Sequence, residues 1–313
     1  MKKSLVTMIL VSAVSACSQI GASAWDDAYG GVDKSYDTQL LELREEMAPK
    51  FETREFVDPV SGRVMTYNLF IPDNYDPNQS YPLVLFMADG STTGKGAMAP
   101  LKQGYGGFIW ATPESQAQHE SFVLVPAFEG PDNVVNDKWE VSDEVDSVVR
   151  LLDQVVNDYS IDEHRLYTTG QSMGGMISFY LNARYPELFA ASLFVGSQWD
   201  VNVLDPLAEM NFFYIVSAAD PKASKGMAEL GDLLSSKGVA YATTEFSAQL
   251  PQAEQEDQVE RLISKQRAIN FIQFTPGTVP PEGESGKGAE HMYSFDYAYQ
   301  LSGVRNWLLS QSK

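Results

Sequence analysis

The chain reads as a doubly wound α/β domain, a mostly parallel sheet with an antiparallel hairpin at its N-terminal edge. Three observations predict this. Continuous apolar runs at 82–87, 122–126, 191–195 and 212–216 have the unalternating pattern of strands buried on both faces. Segments with helical spacing separate several of them, the βα alternation of a parallel sheet. Ahead of the first run, residues 51–57 and 63–71 alternate and are joined by Asp58-Pro59-Val60-Ser61-Gly62, a hairpin signal.

Residues 1–24 stand apart from this domain. Lys2 and Lys3 precede an apolar run at about 5–14 and then small residues, the pattern of a secretory signal too short to remain as a membrane span. Two processing sites compete. Ala22-Ser23-Ala24 before Trp25 is an A-x-A cleavage site, whereas Val14-Ser15-Ala16-Cys17 is a lipobox that would leave Cys17 lipidated at the mature terminus. The expected location is therefore exported: a periplasmic or outer-membrane lipoprotein if residues 1–16 are removed, a secreted protein if 1–24 are. Cys17 is the only cysteine, so no disulfide can form within the chain. Loss of the 24-residue leader, with two lysines and no acids, takes the formal net charge from −20 to −22. That excess tells against nucleic acid as a partner, and membrane attachment would need the Cys17 lipid.

Residues 25–50 are polar, with a short helix expected at 38–47, and read as a surface extension leading into a single domain at 51–313. Beyond the hairpin, 91–107 is glycine-rich and irregular, and 142–159 has helical spacing. A strand at 165–169 is followed by a helix at 175–185, stopped by Pro186. Further helices are expected at 223–237, 254–271 and 296–310, with a strand at 239–246 and a Pro/Gly-rich loop at 275–288.

Between the 165–169 strand and its helix stands Gly170-Gln171-Ser172-Met173-Gly174. Strand, G-x-S-x-G, helix is the context of a nucleophile elbow, whose serine stands exposed on a sharp turn at the carboxyl edge of the sheet. A serine hydroxyl is a weak nucleophile and needs a base. Of three histidines, His119 and His164 enter strands at their amino ends, the wrong edge; His291, after the long loop and before the last helix, is the candidate base. The acid should follow a strand between serine and histidine. Asp220 does so, with Asp200 and Asp205 as rivals, and Asp220 would also suit the N-cap of the next helix. The order Ser172, Asp220, His291, at spacings of 48 and 71, is that of α/β-hydrolases. An oxyanion requires two backbone donors. Met173 would give one, and Asp89, Gly90 or Ser91 the other, Gly90 being favoured for close approach. Gln171 and Trp199 are the candidate substrate contacts, while Trp110, Trp139 and Tyr293 read as packing. No metal cluster, phosphate loop or cofactor motif is legible.

The run 81–87, the segment 165–175 around the elbow and the tail from His291 to Trp307 resemble bacterial exported α/β-hydrolases identified as predicted peptidases or as relatives of polyhydroxybutyrate depolymerases and feruloyl esterases. The resemblance covers about residue 51 onward. It implies hydrolysis of a small or oligomeric ester by a serine, with no cofactor. Members of that group often carry His-Gly or His-Asp after the first buried strand, where this chain has Ala88-Asp89. Two other readings stay open: a serine peptidase of prolyl-oligopeptidase type, and a non-catalytic, lipid-anchored binding protein on the same fold.

Overall fold

Apolar strands buried on both faces need helices on both sides, and the chain supplies them. The computed structural model describes residues 25–130, 134–284 and 288–313, so the expected signal and Cys17 lie outside the described residues. The strands are β1 (Glu52–Val57), β2 (Val64–Phe70), β3 (Tyr81–Met87), β4 (Phe122–Pro126), β5 (Ile161–Gln171), β6 (Ala191–Val195), β7 (Phe212–Ser217), β8 (Ala242–Phe246) and β9 (Ile269–Phe274). They form one sheet in the order β1-β2-β4-β3-β5-β6-β7-β9-β8. Strand β2 runs against both its neighbours, and the other pairings are parallel. The helices are α1 (Thr38–Met47), α2 (Ala99–Lys102), α3 (Pro113–Gln118), α4 (Glu144–Asp158), α5 (Met173–Arg184), α6 (Pro221–Ser236), α7 (Gln252–Ile263), α8 (Ala289–Gln300) and α9 (Ser302–Leu309).

The period-2 geometry of a strand splits the core in two. Val84 and Phe86 of β3 join the layer under α1, α8 and α9, and Leu83, Leu85 and Met87 join the layer under α4, α5 and α6. Both layers are closed, which leaves the carboxyl edge of the sheet as the place for a ligand.

The structure corrects the sequence reading at four places. Residues 254–271 are not one helix: α7 stops at Ile263, Gln266 turns with φ 52°, and 269–274 become β9, inserted between β7 and β8. The last helix is two, broken at Leu301, and the first begins at Ala289, so His291 lies inside α8 rather than before it. Residues 161–164, ahead of the strand expected at 165–169, already belong to β5. The segment 25–50 is no surface extension either, since Val32, Leu40 and Met47 are part of the core and Lys34 is buried.

The hairpin turn is bolted to α4 through one fully buried carboxylate. Asp58 accepts from Arg150 at 2.7 and 2.6 Å, from Ser147 Oγ and Ser61 Oγ at 2.6 Å each and from the Val60 amide at 3.0 Å. Arg150, with the hydroxyls and the amide, holds this carboxyl far below the usual carboxylate range against the upward push of burial. An unfolded aspartate titrates near 3.9, so the native state gains stability from Asp58 above about pH 4 and loses it as the pH falls further. Asp58→Asn should therefore cost about 2–3 kcal/mol at pH 7. Thermal melts of wild type and variant at pH 7 and pH 3 check this: the gap should narrow on acidification, and an equal gap at both would contradict the assignment.

Candidate active site

Strand β5 leads into α5 through Ser172, whose φ of 49° and ψ of −115° lie in a region that few non-glycine residues occupy. The glycines of the motif make the turn possible. A β-carbon at Gly174 would stand 1.9 Å from the Met87 carbonyl oxygen, and one at Gly170 would stand 2.3 Å from the Gly174 carbonyl carbon. Helix α5 thus starts hard against the end of β3, and the half-buried Ser172 side chain is left on the carboxyl edge. Ser172 is tied to β6 on two sides, by its own amide to the Val195 carbonyl (3.0 Å) and by Ser197 Oγ to its carbonyl (2.8 Å).

His291 Nε2 is 2.8 Å from Ser172 Oγ, and its Nδ1 is 2.5 Å from Asp220 Oδ2. With the Nδ1 proton donated to Asp220, Nε2 is left to accept from the serine hydroxyl. The imidazole is three-quarters buried and Phe295 meets it edge to face at 4.9 Å. The α8 turn that carries it is held from both sides: Glu290 accepts from Ser217 Oγ and from the Gly277 amide (2.6 Å), and Ser294 Oγ donates to the His291 carbonyl (2.8 Å).

Asp220 is placed for both jobs the sequence allowed. One oxygen faces His291; the other caps α6 by accepting from the Lys222 and Ala223 amides at 3.2 and 3.3 Å. Burial pushes its carboxyl up, but the His291 hydrogen bond and charge and the two amides outweigh it, so the net shift is down and the carboxylate persists. The rivals are otherwise engaged: Asp200 caps the short turn Val201–Val203, and Asp205 pairs with Lys237 on the surface. His119, at the end of α3, and His164, exposed near the start of β5, lie at the amino edge as expected.

The loop after β3 narrows the choice of second donor. The Ser91 amide is already taken by Asp89 Oδ1 at 2.8 Å. Gly90 opens the turn Gly90–Thr92, and Met173 opens α5; a first-position amide has no acceptor inside its own helix. These two amides flank the ends of adjacent strands β3 and β5.

Gln171 does not reach a ligand. It is buried, and its Nε2 donates to Asp89 Oδ2 (3.1 Å) and Gln103 Oε1 (2.5 Å), while Gln103 Nε2 also donates to Asp89. The residue beside Ser172 therefore pins the loop that carries Gly90. Gln103, 14 residues from Asp89, was not legible as part of the site, because no local motif reports a contact of that range.

Trp199 lines a cleft of about 330 Å³ with Trp139, Tyr180, Arg184 and Asp200, but none of Ser172, Asp220 or His291 is in its wall. Its ring packs edge to face with Trp139 at 5.4 Å and Tyr180 at 6.0 Å. Trp139, read as packing, does pack on Trp199 but is also 38% exposed, with φ 65°, at the tip of a small loop closed by the Val135–Val141 bridge. Asp137 ties that loop to Gln198 and to Lys222, two residues after Asp220, accepting from them at 3.1 and 2.5 Å. Trp110 and Tyr293 are buried packing residues. Among the described residues no three His, Cys, Asp or Glu side chains gather as a metal site, and no helix is long and apolar enough to cross a membrane.

Residues 59–201, which include Ser172 but end before Asp220 and His291, match the family described as "Putative esterase". "Probable feruloyl esterase C" of Aspergillus niger is 30% identical over 143 residues, 45% of this chain and 48% of that protein. The chain spans about half the length of the curated relatives it matches. The crystal structure of a thermostable esterase superposes with a TM-score of 0.70 at 22% identity, covering 86% of this chain and 64% of that one. A ferulic acid esterase from the anaerobic fungus Anaeromyces mucronatus gives 0.51 at 12% identity, covering 82% and 91%. The chain has the α/β-hydrolase fold and is a relative of the α/β-hydrolase esterases.

Proposed function

We propose that the protein is an exported serine hydrolase that cleaves carboxylic esters through an acyl-enzyme. The observation that carries this reading is the continuous relay from Ser172 Oγ through His291 to Asp220, mounted on a strained elbow at the carboxyl edge of the sheet. Ser172 Oγ attacks the ester carbonyl while His291 Nε2 takes its proton. Asp220 holds the imidazole by Nδ1–H and balances the imidazolium charge. The amides of Met173 and Gly90 receive the oxyanion. Collapse expels the alcohol, which takes the proton from His291, and water repeats the cycle to release the acid. No metal or organic cofactor enters these steps.

The names of the relatives and the aromatic cleft lined by Trp139 and Trp199 favour an ester with an aryl portion. A p-nitrophenyl ester series from acetate to octanoate, with methyl ferulate and an amino-acyl anilide, tests both points. Turnover of the esters but not of the anilide is expected; anilide cleavage would favour a peptidase instead. The leader supports export, as a secreted protein or as a lipoprotein through Cys17.

Three outcomes follow. Ser172→Ala should lower kcat at least about 10³-fold, whereas His119→Ala and His164→Ala stay within a few-fold of wild type; a collapse in either would refute His291 as the base. Asp220→Asn should cost about 10³–10⁴ in kcat by upsetting the tautomer. Asp220→Ser keeps a helix cap at a cost of a few tenths of a kcal/mol and should lose as much activity, so a near-native melt with low kcat separates the two jobs. Trp139→Ala should raise KM for methyl ferulate about tenfold, about 1.4 kcal/mol, and leave p-nitrophenyl acetate within twofold; equal losses on both esters would remove the cleft from substrate binding.

A further inference from the structure

Residues 25–34 form a tight strap of their own. Trp25 pairs with Val32, the Asp26 amide donates to the Gly31 carbonyl (2.9 Å), and Asp26 Oδ1 accepts from the Ala28 and Tyr29 amides at 2.8 and 3.0 Å. The Tyr29 ring lies under the Arg44 and Lys102 cations at 5.2 and 5.5 Å, which fixes the strap to α1 and α2.

The strap touches both halves of the candidate active site. On one side it lies against the loop that carries Gly90: a β-carbon at Gly30 would stand 2.3 Å from the Ser91 carbonyl oxygen, and Lys95 Nζ donates to the Asp27 carbonyl at 2.7 Å. Gly30 has φ 83°, so only glycine fits there without strain. On the other side Lys34 reaches α8. Its ammonium is 2.7 Å from Asp296 Oδ2, five residues beyond His291, with the two side chains only 1% and 7% exposed. The ammonium makes no aligned hydrogen bond, so charge holds the contact. Asp296 Oδ1 accepts from the Tyr105 amide at 3.0 Å, next to Gln103 of the Asp89 network.

A buried ion pair gives little net stability, because the cost of desolvation offsets the attraction. Its position is more informative. We propose that Lys34 and Gly30 are positioning residues: the strap holds the oxyanion loop and the histidine helix in register, so that Gly90 and His291 face the same carbonyl. This rests on the esterase reading above, and its test separates the two.

The variant Lys34→Met/Asp296→Asn removes both buried charges and keeps an oxygen for the Tyr105 amide, so it should fold. Gly30→Ala, which pushes on Ser91 from the other side, is the second probe. In each, kcat for p-nitrophenyl acetate should fall at least tenfold with KM within twofold, and Ser172 should label with a fluorophosphonate at least tenfold more slowly, while the double variant melts within a few degrees of wild type. A folded double variant with native kcat and labelling rate would overturn the proposal, as would native rates in a folded Gly30→Ala. A wild type that labels but turns over no ester would sink the esterase reading, and the labelling rates would still decide the strap.

Discussion

The packing of α5 against the end of β3 is the constraint on which the site depends. Gly174 lies so close to the Met87 carbonyl that no side chain fits between them, and this contact forces Ser172 into its strained turn. It costs backbone strain of order 1–3 kcal/mol, and the strain persists because the surroundings over-determine it. Ser172 is held by Val195 and Ser197, and β3 and β5 are neighbours in the sheet. The same contact brings the first amide of α5 beside the loop after β3. One steric fact thus places both the candidate nucleophile and the two candidate oxyanion donors.

Electrostatics then separate the acids. In a chain of net charge −20, most carboxylates are surface groups without a role. Asp58, Asp89, Asp220 and Asp296 differ, because each is buried and each is given donors. Asp58 takes Arg150, Asp220 takes His291 and two helix amides, Asp296 takes Lys34, and Asp89 takes only amides. Of these four only Asp220 has an imidazole as its partner, and only there does the contact continue to a half-buried serine hydroxyl.

Much of this was legible in the sequence where the signal is local. The elbow is a contiguous motif, the hairpin has its turn residues, and the triad candidates follow from strand ends and chain order. What escaped depends on contacts distant in sequence. Residues 264–271 read as the tail of a helix, but Gln266 breaks it and 269–271 begin β9, since apolar residues in a short segment fit either period. Gln171 looked like a substrate contact because it adjoins the serine, yet its side chain points into the Asp89 network. Lys34 could not be paired with Asp296, 262 residues away, by any spacing rule.

Ala88-Asp89, where the hydrolases that this chain resembles often carry His-Gly or His-Asp, ties these strands together. A histidine after the first buried strand would be one way to stiffen the oxyanion loop. Here Asp89 does it by accepting from Ser91, Gln103 and Gln171, so the loop is fixed from its own turn, from the segment before Tyr105 and from the residue beside the nucleophile. Such a network stays rigid only while its surroundings exclude water, because hydrogen bonds of neutral amides weaken in competition with solvent. The strap supplies that cover: Gly30 closes over Ser91. The loss of one local stiffener is thereby matched by a segment from the far end of the chain, and that makes the N-terminal residues part of the site rather than a path into the domain.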